Sequence, residues 1–206
     1  MEVVSPVAFQ RRRNPGVYTL DPLRELLRRT LPATRFEDLS VPLTIATTDL
    51  QEAKPVYWSG LGDIVEPLIA SMSLPGIFPP VEIGGHQFVD GGIADNVPLA
   101  RAVEMGARTI LMITCGACRA SDRRFKGVAG ILGRSFSIAL DGKFAADLVH
   151  LGNVVNVRCI RLPSSEEVEL LDFRCSGELI DAAYRETLER FAARDDLKQN
   201  CARYTT

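Results

Sequence analysis

The sequence predicts an α/β fold with a mainly parallel sheet and helices on both faces. Two observations carry this. Runs of β-branched and apolar residues alternate along the chain with segments whose apolar residues keep a helical period. In addition, Arg108 to Thr114 is a continuous apolar run of the kind a buried parallel strand shows, since both of its faces need covering.

The elements follow in order. Asp21 with Pro22 reads as an N-cap and first helical position, ahead of Leu23, Leu26, Leu27 and Leu31 on one helical face. Val41 to Leu50 and Lys54 to Ser59, separated by a short polar turn, read as paired strands. Asp63 and Glu66 form a capping-box pattern before a helix that stops at Leu74, because Pro75 disfavours a helical residue before it. Val81 to Ile83 and His86 to Val89 flank Gly84-Gly85, a two-residue hairpin turn whose glycines can supply positive φ. Pro98 opens a helix that Gly106 closes, and the strand Arg108–Thr114 follows. A long helix over 128–151, a strand over 154–162 and a helix beginning after Ser176 complete the chain. Residues 1–15 are uncommitted, 16–195 form one domain, and 196–206 are a tail.

Composition narrows the function classes. The 206 residues are 46% hydrophobic and 24% charged, which excludes a disordered chain. With 24 Lys plus Arg against 26 Asp plus Glu, the chain has no overall basic field, so nucleic acid is not an expected partner. Five cysteines at irregular spacing predict free thiols and a cytoplasmic location rather than a disulfide framework. The apolar start runs into Arg11–Arg13, the reverse of a signal peptide's charge order, and no run approaches the roughly 20 apolar residues that span a bilayer.

Asp90 is the acid whose surroundings look built for a task. It ends a strand, Gly91 and Gly92 follow, and Asn96 and Pro98 complete the turn. Paired glycines let backbone or substrate approach closely, and ligand crevices of open α/β sheets lie beyond strand ends. A carboxylate there can act as a general base, orient one, or bind a metal. It can equally be an Asx-turn residue bonded to its own loop.

Several separate motifs then occur in a fixed order: Ala70-Ser71-Met72-Ser73-Leu74-Pro75-Gly76-Ile77-Phe78-Pro79-Pro80-Val81, Phe88-Val89-Asp90-Gly91-Gly92, Asn96-Val97-Pro98-Leu99 and Gly106-Ala107. Together they resemble the patatin-like phospholipase family. Thr48-Asp49-Leu50 and Leu179-Ile180-Asp181-Ala182 resemble its strand before the hairpin and its terminal helix, so the likeness covers about residues 16 to 195. The resemblance implies a three-layer fold and a Ser–Asp dyad that cleaves acyl esters of lipids. It makes Asp90 the dyad acid, with Gly91, Gly92, Asn96 and Pro98 supporting its loop.

No serine in the chain has glycine two positions before and two after it, as the G-x-S-x-G elbow of that family requires. Gly133-Arg134-Ser135-Phe136-Ser137 is the nearest approach, and the glycine-rich oxyanion loop is absent as well. Losing one oxyanion donor costs about 10² to 10³ in rate, and losing the nucleophile removes the covalent route. The chain therefore reads as the C-terminal part of such a domain, lacking the N-terminal strand and the nucleophile helix and inactive alone. The alternative is a non-catalytic module that binds lipid or protein. Expected partners are a lipid or acyl-ester substrate, peripheral membrane contact, and either self-association or a complementing N-terminal segment. Self-association follows from the apolar face that the missing elements would leave uncovered.

Leu74, Ile77 and Phe78, beside the Asp90 loop, are expected to line an acyl pocket or to be plain core. Cys115 and Cys118 could form half a zinc site, but Cys159, Cys175 and Cys201 provide no second C-x-x-C, so no metal and no cofactor are expected. His86 shares a strand face with Asp90 and reads as a solvated strand residue.

Overall fold

The structure is a computed structural model in which residues 18–114, 124–151, 155–161 and 174–192 are described. It consists of two compact units, Met1–Pro98 and Leu99–Thr206.

In the first unit, α1 (Asp21–Thr30), β1 (Thr44–Asp49), β2 (Lys54–Ser59), α2 (Val65–Ser71), β3 (Val81–Ile83), β4 (His86–Asp90) and the single helical turn α3 (Gly92–Asp95) follow one another. The strands form one sheet in the order β2-β1-β4-β3. All three pairings are antiparallel, which corrects the expectation of a mainly parallel sheet. The reason lies in the connections. The turn at 50–53 and the Gly84-Gly85 turn are far too short for the crossover that a parallel pair needs. Gly84 (φ 61°) and Gly85 (φ 86°) both take the positive φ that the hairpin turn demands.

Directly opposed residues share a sheet face, so the register fixes what each side presents. Ile45 opposes Trp58, Thr47 opposes Asp90 and Asp49 opposes Phe88. This is the face that α2 covers: Phe36, Ile45 and Ile64 form a buried cluster packed by Leu39, Trp58 and Leu68. The other face carries Tyr57, opposite Ala46, and Thr48, opposite Val89, and there the partner is α3. Helical segments on both faces of this sheet thus agree with the α/β expectation.

The helix signals are only half used as read. Asp63 Oδ2 accepts the Glu66 N–H at 3.0 Å, one arm of the capping box. The Glu66 carboxylate, instead of returning to Asp63, takes a forked bond from Arg24 (Nε 2.8 Å, Nη2 3.1 Å) and so ties α1 to α2. Asp21 lies inside α1 and pairs with Arg24 at 2.7 Å rather than capping the helix. The Arg24 hydrogen bond holds the Glu66 carboxyl below its usual range against the opposing effect of burial. A depressed acid stabilises the fold above its unfolded pKa, and that stability is lost as pH falls through the folded value. Glu66→Gln is therefore expected to cost about 1 kcal/mol at neutral pH, a cost that shrinks as pH falls through the folded value, as measured by urea titration across the acid range.

In the second unit, α4 (Leu99–Glu104) ends on Gly106 at φ 91°, in the left-handed conformation expected of a helix-closing glycine. β5 (Thr109–Thr114) pairs in parallel with β6 (Asn156–Arg161), with the long helix α5 (Gly127–Leu151) in the crossover between them. α6 (Ser176–Ala192) follows. Met112, Val157, Cys159 and Ile160 are buried, whereas Leu111 and Ile113 on the alternate face of β5 are 50% and 60% exposed. Cys159 is disulfide-bonded, which corrects the expectation of free thiols throughout, while Cys175 is a free thiol. Cys115 and Cys118 lie outside the described residues. Among the described residues, no helix is long and apolar enough to cross a membrane.

Candidate functional site

Asp90 is the last residue of β4, and the chain turns immediately into α3. Its backbone is fixed on two sides. The Asp90 N–H donates to Ser73 C=O at 3.0 Å, linking it to the end of α2, and its C=O accepts the Thr48 hydroxyl at 2.9 Å. The carboxylate Oδ1 accepts the Gly92 N–H at 2.7 Å. Burial pushes the Asp90 carboxyl above the ordinary aspartate range, and the Gly92 hydrogen bond only partly opposes this.

The two glycines serve different purposes. A Cβ on Gly91 would lie 2.3 Å from the Ala46 carbonyl oxygen, so this residue is glycine because the loop runs against the β1 backbone. A Cβ on Gly92 would meet Asp90 Oδ1 at 3.0 Å and Asn96 Oδ1 at 3.1 Å, so the second glycine leaves room for two polar side chains. Asn96 is exposed at the end of α3, and Pro98 stands just before α4. The structure therefore brings Asp90, Gly91, Gly92 and Asn96 into one turn, with the local bond of an Asx turn present alongside the long-range contacts.

Leu74 continues from Ser73, whose carbonyl holds the Asp90 amide. It begins a tight loop in which the Ile77 and Phe78 N–H groups both donate to Leu74 C=O. Leu74 and Ile77 are half-buried, and Phe78, 7% exposed, packs against Tyr18 with ring centroids 6.1 Å apart. A surface cleft of about 370 Å³ in this unit is lined by Leu20, Arg24, Glu66, Pro79, Val81 and neighbours, and does not include Leu74, Ile77 or Phe78.

Several polar residues near this turn were not singled out from sequence. Asp95 of α3 is buried and accepts a hydrogen bond from the Tyr57 hydroxyl. Thr48 Oγ1 also accepts the Ala94 N–H at 3.2 Å, in addition to its bond to the Asp90 carbonyl. His86, read as a solvated strand residue, places Nδ1 2.7 Å from Asp49 Oδ2. Asp49 is itself buried, and its Oδ1 accepts the N–H groups of Gln51 and Glu52. Burial works to raise the Asp49 carboxyl, but those N–H groups and His86 outweigh it and hold the group below its ordinary range. A signal for these residues existed: Thr47, Thr48 and Asp49 are three consecutive polar residues inside a strand, and such residues are buried only when each finds a partner. Among the described residues, no group of three or more His, Cys, Asp or Glu is arranged to hold a metal ion.

The family model described as patatin-like phospholipase matches residues 5–103. An uncharacterized NTE family protein of Mycobacterium bovis is 28% identical over 109 residues, 53% of this chain and 30% of that protein. Lysophospholipase NTE1 of Saccharomyces cerevisiae is 33% identical over 95 residues, 46% of this chain and 6% of its own length. The mouse patatin-like phospholipase domain-containing protein 6 is 30% identical over 116 residues, 55% of this chain and 8% of its own length. The matched segment thus spans less than a third of each of these relatives. The whole four-stranded sheet of the first unit and the whole Asp90 turn lie inside residues 5–103, the segment of this chain that the patatin-like phospholipase model matches.

Proposed function

We propose that this chain carries the aspartate half of a Ser–Asp acyl-hydrolase site acting on acyl esters of lipids, with Asp90 as the general base. The observation that supports it most directly is the Asp90 turn itself: a half-buried carboxylate at a strand end, anchored through its backbone on both sides. Oδ1 is taken by Gly92, so Oδ2 is the oxygen that would accept a serine proton. As that proton moves to Oδ2, the serine Oγ bonds to the ester carbonyl carbon; collapse of the adduct breaks the ester C–O bond, Oδ2 returns the proton to the departing alkoxide, and water, deprotonated in turn by Asp90, hydrolyses the acyl-serine. Burial raises the basicity of the carboxylate and so strengthens it as the acceptor.

No serine of the chain stands in a G-x-S-x-G context, so these 206 residues alone are proposed to be inactive. The expected result with the isolated chain is no labelling by a serine-directed phosphonate and no turnover of short-chain esters. Labelling would overturn the proposed inactivity. Co-expression with a patatin-like segment that carries the elbow is expected to restore turnover, and Asp90→Asn is expected to lower the restored rate by about 10² to 10⁴. Restored turnover untouched by that substitution would remove Asp90 from the mechanism.

The same variant has a signature in stability. Because burial raises the native Asp90 pKa, the folded state is favoured below the unfolded value of 3.8, and that advantage is lost as pH rises through the native value. Asp90→Asn should therefore gain stability relative to the parent chain as pH rises from 3 to 7, as followed by chemical denaturation across the range.

A second reading, a non-catalytic module that binds lipid or protein, is favoured by the exposed apolar side chains of α5 (Val128, Ile131, Leu132) and α6 (Ile180, Tyr184, Leu188). Sedimentation with phospholipid vesicles that is equal for the parent chain and Asp90→Asn, with no turnover under complementation, would support it over the catalytic reading.

A further inference from the structure

Thr48 is a side chain that reaches both ends of the Asp90 turn. Its Oγ1 donates to Asp90 C=O at 2.9 Å and accepts Ala94 N–H at 3.2 Å. The first bond holds the backbone of the residue that ends β4. The second satisfies an amide of α3, whose early N–H groups have no partner within so short a helical turn. Thr48 is buried at 5% exposure, so water does not replace it readily at either site. It is also rigidly mounted, because β1 is an interior strand bonded to β2 on one side and β4 on the other. Between its two partners lies the Gly92 N–H that holds Asp90 Oδ1.

We propose that Thr48 is a positioning residue for Asp90: its hydroxyl bridges the end of β4 and the start of α3, and so keeps the Asp90 carboxylate on the Gly92 amide and away from solvent. Its importance for catalysis rests on the reading of Asp90 as the general base, whereas the bridge itself can be tested without any turnover.

The probes are the hydrogen-exchange rate of the Gly92 amide and the Asp90 carboxyl titration, both followed by NMR on the full chain. Thr48→Val keeps the shape and removes the hydroxyl. It is expected to speed Gly92 exchange about five- to tenfold, the equivalent of one lost hydrogen bond, while amides of the β1–β2 pairing keep their parent rates. The Asp90 titration is expected to move down toward the ordinary aspartate range as the carboxylate gains solvent. Thr48→Ser, which restores the hydroxyl, should return both values to those of the parent chain, a rescue that loss of the methyl group alone would not give. Should Thr48→Val not fold, Thr48→Ala is measured against Thr48→Ser in the same way. Parent-like Gly92 exchange and Asp90 titration in a folded hydroxyl-free variant would overturn the proposal, as would a Thr48→Ser chain that behaves like Thr48→Val. Neither outcome depends on whether Asp90 accepts a serine proton, so failure here is distinct from failure of the hydrolase reading.

Discussion

Gly91→Ala is expected to destabilise the first unit by about 3 kcal/mol or more, a loss at the upper end of what overpacking usually costs. The added methyl carbon would sit 2.3 Å from the Ala46 carbonyl oxygen and 2.6 Å from its carbonyl carbon, both backbone atoms. Neither can swing aside as a side chain can, because Ala46 is in register with Tyr57 in the middle of the β1–β2 ladder. Relief requires either moving β1 out of that ladder or moving the Asp90 turn away from the sheet. Gly91 has φ −62°, a value open to any residue, so close approach alone accounts for the effect. Gly92→Ala provides the contrast: its methyl would meet the side-chain oxygens of Asp90 and Asn96, which can rotate, so a smaller stability loss should come with a displaced Asp90. Urea titration of the two variants checks the order. A Gly91→Ala chain within about 0.5 kcal/mol of the parent would show that the turn can lift off β1 at little cost.

Phe88→Ala is expected to cost about 3 to 5 kcal/mol, the range for removing a buried aromatic ring. Phe88 is 4% exposed and meets the Trp58 ring edge-on, with centroids 5.1 Å apart and an interplanar angle of 76°. It also lies alongside the His86 ring at 6.4 Å. Losing it opens a cavity beneath the strand that ends in Asp90. Trp58 is the single tryptophan of the chain, so its fluorescence reports the change without interference and should shift to longer wavelength as water reaches the ring. Unchanged emission together with parent-like stability would mean that α2 closes over the gap.

The sequence was most informative where local chemistry decides the outcome. The Gly84-Gly85 hairpin, the strands around 44–59 and the Gly106 helix end follow from turn residues and apolar period, and the structure shows them within a few residues of where they were expected. Strand direction was misjudged because alternation with helices speaks to layering, whereas direction is set by connection length, and the short turns at 50–53 and 84–85 were the better guide. For the site, the order of motifs pointed to the Asp90 turn, and Gly91 and Gly92 were visible as a pair. Their separate purposes were not, because one depends on the Ala46 carbonyl, a long-range contact. Thr48, Tyr57 and Asp95 escaped for the same reason: a hydroxyl in a strand or an acid in a turn reads as solvent-facing until the partner across the sheet is known. Glu66 shows a subtler case, in which the capping residue was recognised but its carboxylate is drawn to Arg24, whose guanidinium offers a charged fork in place of one neutral amide.

Among the described residues, the hydrogen bonds that hold Asp90 come from the stretch between Thr48 and Ala94: the Ser73 carbonyl, the Thr48 hydroxyl and the Gly92 amide. The acid and the groups that hydrogen-bond it therefore lie within one stretch of the sequence. For engineering, grafting the three residues Asp90-Gly91-Gly92 alone would leave behind the Ser73 carbonyl and Thr48 hydroxyl that hold the Asp90 backbone, and the β1 backbone at Ala46 against which Gly91 packs.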